Sequence, residues 1–312
     1  MRYLVHWDNQ ISRKFAELLL RELARFDVRS SFGFLNSVCE DIDLEDVEFE
    51  RLDASSAVRT FQPECIISIG THPNKQIAKI TRRSSSLSFF FLQTISLDRG
   101  VEAIRRARKS FDYIFTDLPQ YAGLSEFKGT FLVDLIRKHT VAEMGAQDDG
   151  MCVAVFAESK GDLKFCERLV ATSAVETSWL LSHRRENSAF EETIDSLKKA
   201  NAAVVFTDQQ ELLAALLSCP AVRVQESGGL FSRRSVNSLV DSMLGKFGTS
   251  IARDRKKVGT ELQRILYDHE YCASKLADNQ QALDLIGNQP VIRTIGQEII
   301  ERLEERENLS SS

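Results

Sequence analysis

The chain has 312 residues, 43% hydrophobic and 27% charged, with 40 Lys and Arg against 45 Asp and Glu. This is globular composition for roughly two domains of about 150 residues each, and it excludes low-complexity and fibrous classes. A net charge of -5 also excludes an overall positive field that would gather nucleic acid, so no nucleic-acid partner is expected.

Taken in chain order, short β-rich runs alternate with helical patterns. The opening MRYLVHWDNQ has too short an apolar run for a signal peptide and instead predicts a strand at 2–7, followed by a helix over 11–26. Further strands are predicted at 28–35, 65–70 (CIISIG), 88–92 (SFFFL), 112–116 (DYIFT) and 130–133 (TFLV), with helices at 75–83 and 100–110. The polar stretch 138–150, with Gly145 and Gly150, reads as a linker. Strands at 151–157, 177–182, 202–207 and 221–225 then alternate with helices at 161–173, 189–200, 209–218 and 233–246, and 251–308 is nearly pure helix. Several strands are almost continuously apolar, as parallel strands buried on both faces must be. The expected fold class is therefore α/β, two Rossmann-like doubly wound domains with a helical C-terminal tail.

The cysteines, Cys39, Cys65, Cys152, Cys166, Cys219 and Cys272, form no CxxC or CxxH pair. That argues against a zinc knuckle or a disulfide framework and fits a reducing cytoplasm. No uninterrupted apolar span of about 18 residues occurs, so a soluble protein is expected, with contact at a membrane surface left open.

Open α/β sheets bind ligands at the carboxyl ends of their strands, which directs attention to the loops there. In the second half these loops hold Ser159-Lys160-Gly161, then His183-Arg184-Arg185, then Asp208-Gln209-Gln210-Glu211, then Glu226. A helix start with a lysine suits phosphate, paired arginines suit an anion, and carboxylates suit sugar hydroxyls. Each also has an ordinary reading: Ser159 is a competent N-cap, His183 to Arg185 could be a solvated strand end, and Asp208 a routine cap. It is the conjunction of four polar loops at four consecutive strand ends that points to a ligand.

CVAVFAESKG, WLLSHRRE and NAAVVFTDQQELLAALLSCPAVRV together resemble the C-terminal half of GT-B glycosyltransferases, most closely the predicted bacterial enzymes of the Elm type. In the N-terminal half FQPECIISIGTHPNKQIAKITRR and FDYIFTDLPQYAGL are similar to segments of the same family; lipid-A-disaccharide synthase and the Kdo transferases are more distant relatives, and LADNQQALDLIGNQPVIRT is similar to the closing helices of the latter. The resemblance implies an N-terminal acceptor domain over 1–140, a nucleotide-sugar donor domain over 150–275, and helices over 276–312 that pack back on the first domain. It implies transfer of a sugar from a nucleotide-sugar donor to a glycan or lipid-linked acceptor by an enzyme active in the cytoplasm or at the inner-membrane surface. Ser159, Lys160 and the N–H groups near Gly161 would hold the diphosphate, whose growing negative charge preorganised donors stabilise. No DxD pair is evident, and no cofactor or metal is expected. A base is needed for the acceptor hydroxyl. The loop after the first strand has no glycine, and the loop after 65–70 offers Thr71, His72 and Asn74 in place of an acid, so the available types are His72, His6 and Asp8, with Asp8 and His72 ranked first. The lack of a glutamate-rich sugar loop favours inversion. A nucleotide-sugar epimerase or hydrolase of the same fold, or a catalytically silent binding module, is the alternative.

Overall fold

A computed structural model of the chain describes residues 1–8, 10–26, 29–35, 49–53, 56–93, 97–117, 123–140, 151–157, 160–172, 177–183, 190–206, 208–224, 249–252, 254–286 and 290–311. It divides into two compact units: Met1–Thr94, Asp98–Leu135 and Gln289–Ser312 form the first, and Ile136–Asn288 with Ile95–Leu97 the second.

The first unit is built on seven parallel strands in the order β3-β2-β1-β4-β5-β6-β7. These are β1 (Arg2–Trp7), β2 (Ser31–Phe34), β3 (Phe49–Arg51), β4 (Cys65–Gly70), β5 (Leu87–Leu92), β6 (Tyr113–Thr116) and β7 (Glu126–Phe127). Every residue of β4 and of β5 is buried, so apolar side chains are required on both faces of these strands. Helices α1 (Gln10–Phe26), α2 (Lys75–Thr81), α3 (Leu97–Ala107) and α4 (Phe131–Thr140) complete the βα succession, with a π-helical turn at Ala57–Phe61 before β4. Phe15 of α1 stacks on Phe131 of α4, with ring centroids 4.5 Å apart, and both reach Phe91 of β5.

The second unit has five parallel strands in the order β12-β11-β10-β8-β9. They are β8 (Cys152–Ala157), β9 (Ser178–His183), β10 (Ala202–Val205), β11 (Ala221–Val224) and β12 (Ser250–Ala252). The helices are α5 (Lys160–Thr172), α6 (Phe190–Lys199), α7 (Asp208–Leu216), α8 (Arg255–Tyr267) and α9 (His269–Ile286). Val153, Val155, Val204 and Val222 of the strands meet Leu169, Val258 and Leu262 of the helices in one buried core. The Tyr271 hydroxyl, 2.6 Å from Glu261 and 2.9 Å from Ser250 Oγ, ties α9 and α8 to β12.

The last helix, α10 (Ile292–Ser311), belongs to the first unit and packs on α1, where Gly296 approaches Phe26 and Glu22. Its first N–H groups have no helical partner, as in any helix. The buried Asp134 carboxylate of α4 accepts from Val291 N at 2.9 Å and Ile292 N at 3.3 Å. At mid-helix, Arg302 lies 3.0 Å from both Glu126 oxygens and 3.8 Å over the Tyr113 ring, and Lys128 bonds Glu298 at 2.7 Å. These contacts hold the two-residue strand β7 against the sheet edge.

Several readings of the sequence change. The strand expected at 130–133 is the first turn of α4: Phe131, Val133, Leu135 and Ile136 are all buried, and a helix buried nearly all round has the same short apolar run as a buried strand. Strands β3, β7 and β12, of two or three residues each, carry too few residues for a period to show. Helix α4 extends into the expected linker as far as Thr140; the rest of that linker and the helix expected at 233–246 lie outside the described residues. No helix among the described residues is long and apolar enough to cross a membrane.

Asp134→Ala leaves two backbone donors without their acceptor in a buried place. It is expected to lower unfolding free energy by about 2 kcal/mol, read from the urea midpoint at unchanged slope, while Asp134→Asn, which keeps a carbonyl acceptor, loses less. An unshifted midpoint for the alanine variant would refute the cap.

Candidate functional site

Strand order locates the candidate sites. In the first sheet the chain leaves β1 toward β2 on one side, whereas β4 leads on to β5 on the other, so their carboxyl ends flank a switch point, the place where doubly wound sheets bind ligands. The register Val5↔Ile67, His6↔Ser68 and Trp7↔Ile69 aligns the two strand ends. Asp8 follows β1 directly and is exposed. Its Oδ2 accepts from Thr71 N at 2.6 Å and Thr71 Oγ1 at 2.8 Å, and Ser12 Oγ of α1 lies 2.9 Å from Oδ1. Ser12 is buried and also sits 2.7 Å from Gln93 Oε1 at the end of β5, so one hydroxyl proton faces two acceptors. A Cβ on Gly70 would stand 2.4 Å from Asp8 Cγ and 2.5 Å from Oδ2, and the carboxylate therefore occupies space that only glycine leaves free.

His6 lies beneath this carboxylate, 6% exposed. Asn74 caps α2, its Oδ1 accepting from Gln76 N at 2.8 Å and Ile77 N at 3.3 Å. The cap turns the amide NH2 toward His6, 3.0 Å from Nε2. An NH2 group only donates, so Nε2 accepts and the ring proton sits on Nδ1, toward Ser68 Oγ 3.5 Å away. Burial holds the imidazole neutral, lowering its pKa to about 4 against the opposing pull of Asp8. His72, the other expected group, is exposed and among the described residues has no hydrogen-bond partner. The structure thus joins Asp8 to Thr71, Ser12, Gln93, His6 and Asn74 but not to His72.

In the second sheet the switch point falls between β8 and β10. Lys160 and Gly161, both exposed, open α5 on one side of it, and Asp208 opens α7 on the other. The free N–H groups of a helix start favour an anion. Gln210 is buried, its Oε1 accepting from Phe206 N at 2.8 Å, and Glu211 is fully buried, 3.3 Å from the Arg223 guanidinium of β11. These two side chains therefore brace the α7 start and its neighbouring strand. His183 ends β9 and Gln209 lies in α7. Ser159, Arg184, Arg185 and Glu226 lie outside the described residues.

No protein-family model matches the chain, and no curated protein matches its sequence. Solved structures do match its fold. A candidate UDP-N-acetylglucosamine 2-epimerase from Listeria monocytogenes superposes with a TM-score of 0.69 at 11% identity, covering 97% of each chain. The UDP-GlcNAc 2-epimerase of Neisseria meningitidis, solved with UDP-GlcNAc, gives 0.67 at 10% identity over 98% of this chain and all (100%) of that one. The wall teichoic acid polymerase TagF gives 0.64 at 10% identity over 98% of this chain and 89% of that one. The fold is GT-B-like. Such low identities carry the fold and no more.

The buried neutral imidazole has a pH signature. His6 has an unfolded pKa near 6.5 and a folded one near 4, so below about pH 6.5 the unfolded chain binds a proton that the folded chain refuses. Its contribution to stability is present above pH 6.5 and falls away toward pH 4, by about 3 kcal/mol at the limit. Urea titrations of the parent and of His6→Gln across that window check this: the variant is expected to have the shallower slope, and equal slopes would overturn it.

Proposed function

We propose that this chain is a glycosyltransferase that moves a sugar from a nucleotide-sugar donor to a glycan or lipid-linked acceptor, with inversion. The observation that carries the reading is the end-to-end fold likeness to a teichoic acid polymerase and to an epimerase solved with its nucleotide sugar, UDP-GlcNAc. In the second unit, Lys160, the N–H groups at the α5 start and, by the same reading, Ser159, Arg184 and Arg185 take the diphosphate. As the glycosidic bond breaks, negative charge grows on the leaving diphosphate, and donors already in place stabilise it without reorganisation. In the first unit, Asp8 takes the proton of the acceptor hydroxyl. Thr71 and Ser12 hold its carboxylate in one orientation, which removes the entropy of finding it. Metal-independent transfer follows if cationic side chains and the helix start meet the charge.

A second reading, a nucleotide-sugar epimerase, is favoured by the Listeria and Neisseria structures. Incubation with UDP-sugars separates the two. Nucleotide released only when an acceptor is added supports transfer, isomerised sugar without an acceptor supports the epimerase, and a panel of nucleoside diphosphates that leaves the melting temperature unmoved rejects both. Lys160→Ala is expected to weaken nucleoside-diphosphate binding about ten- to a hundredfold, from roughly 1.5 to 3 kcal/mol for a charge-assisted contact, with little effect on the bare nucleoside. Calorimetric titration that finds equal affinities would reduce the α5 start to an ordinary helix end.

A further inference from the structure

The charges of the first unit are segregated. Between Lys75 and Lys109 there are nine Lys and Arg and two Asp and Glu, a net of +7 within a chain of net -5, so the remaining residues sum to -12. This stretch supplies α2 and α3. The crossovers from β4 through α2 to β5 and from β5 through α3 to β6 step the same way across the sheet. With right-handed connections both helices then lie on one face. The step from β1 through α1 to β2 runs the other way, which puts α1, and α10 packed on it, on the opposite face.

On α2 the buried residues are Ile77, Ile80 and Thr81, while Lys75, Lys79, Arg82 and Arg83 are exposed at i, i+4, i+7 and i+8 along α2 and the turn that ends it. On α3 and the turn that follows, Ala103, Ile104 and Ala107 are buried and Arg105 and Lys109 are exposed. Two neighbouring helices therefore turn long cationic side chains outward from the same side of the sheet. Neither contains an aromatic residue on which a base could stack, which disfavours single-stranded nucleic acid. Clusters of four to eight lysines and arginines on a helical face are the signature of contact with anionic lipid.

We propose that the outer face of α2 and α3 docks this protein on an anionic lipid bilayer. The attraction is electrostatic and reversible: each basic side chain brought near the surface strengthens partitioning about fivefold, and the effect decays within a Debye length of about 10 Å at 0.1 M salt. The docking face is independent of the sugar chemistry proposed above, and its test needs no substrate.

The full chain is mixed with vesicles of phosphatidylcholine alone or of phosphatidylcholine with phosphatidylglycerol, and bound protein is read by co-sedimentation at low and high salt. Binding is expected only to the anionic vesicles and is expected to be lost at high salt. Replacing Lys75, Lys79, Arg82 and Arg83 together with Gln should weaken it at least tenfold at unchanged melting temperature. A control that replaces the exposed Lys164, Lys256, Lys257 and Arg293 with Gln makes the same change in net charge and should stay within about twofold of the parent. A parent that ignores anionic vesicles, equal losses in both variants, or preferential capture by an RNA homopolymer through the same four residues would each overturn the proposal.

Discussion

The parallel pairing of β1 with β4 is the constraint on which the first unit depends. Two strands adjacent in space but about sixty residues apart in sequence must lie side by side with every position of β4 buried. Their chain continuations then diverge to opposite sides, β1 toward β2 and β4 toward β5, and right-handed crossovers put the intervening helices on opposite faces. The divergence opens a gap at the carboxyl edge. Asp8 and Thr71 meet there as the first residues past the two strand ends, beside Gly70, which closes β4, and Asn74, which caps the helix that follows.

What fills the gap is a chain of dependent orientations. The missing side chain of Gly70 leaves room for the Asp8 carboxylate, and Thr71 receives it through backbone and hydroxyl together. Asn74 caps α2 with its oxygen, which leaves its NH2 for His6, and that selects the tautomer of a buried imidazole. A helix cap, ordinarily a matter of about 1 kcal/mol of stability, here also sets where a ring proton resides.

The closing helix uses the same economy. Asp134 satisfies the orphan donors at the start of α10, and Arg302 joins two carboxylates and an aromatic ring at the far sheet edge. A strand as short as β7 has little pairing of its own to keep it in register. Its carboxylate Glu126 is held by Arg302, 176 residues later in the chain, which binds the end of the sequence to the sheet built by its beginning.

The sequence by itself determined the alternation of strands and helices, since CIISIG, LSFFFL and CVAVFA have no polar face to offer water and, bounded by turn residues, read as strands covered on both sides. It also showed that Asp8 is an acid directly after the first strand and that Lys160 stands at the start of a helix after another. Period and punctuation are local, and those features are local. Tertiary structure decided the rest. Whether FLV at 131–133 is strand or helix depended on what surrounds it, because Phe131, Val133, Leu135 and Ile136 are all buried and a short apolar run of that kind shows no helical period. That Ser12 and Gln93 share a hydroxyl contact, that His6 is held neutral while His72 stands in solvent, and that Glu211 is shut inside with Arg223 all depend on residues distant in sequence brought together by strand order. A one-dimensional pattern records which side chains prefer to be buried; the pairing of strands determines which of them are buried beside one another.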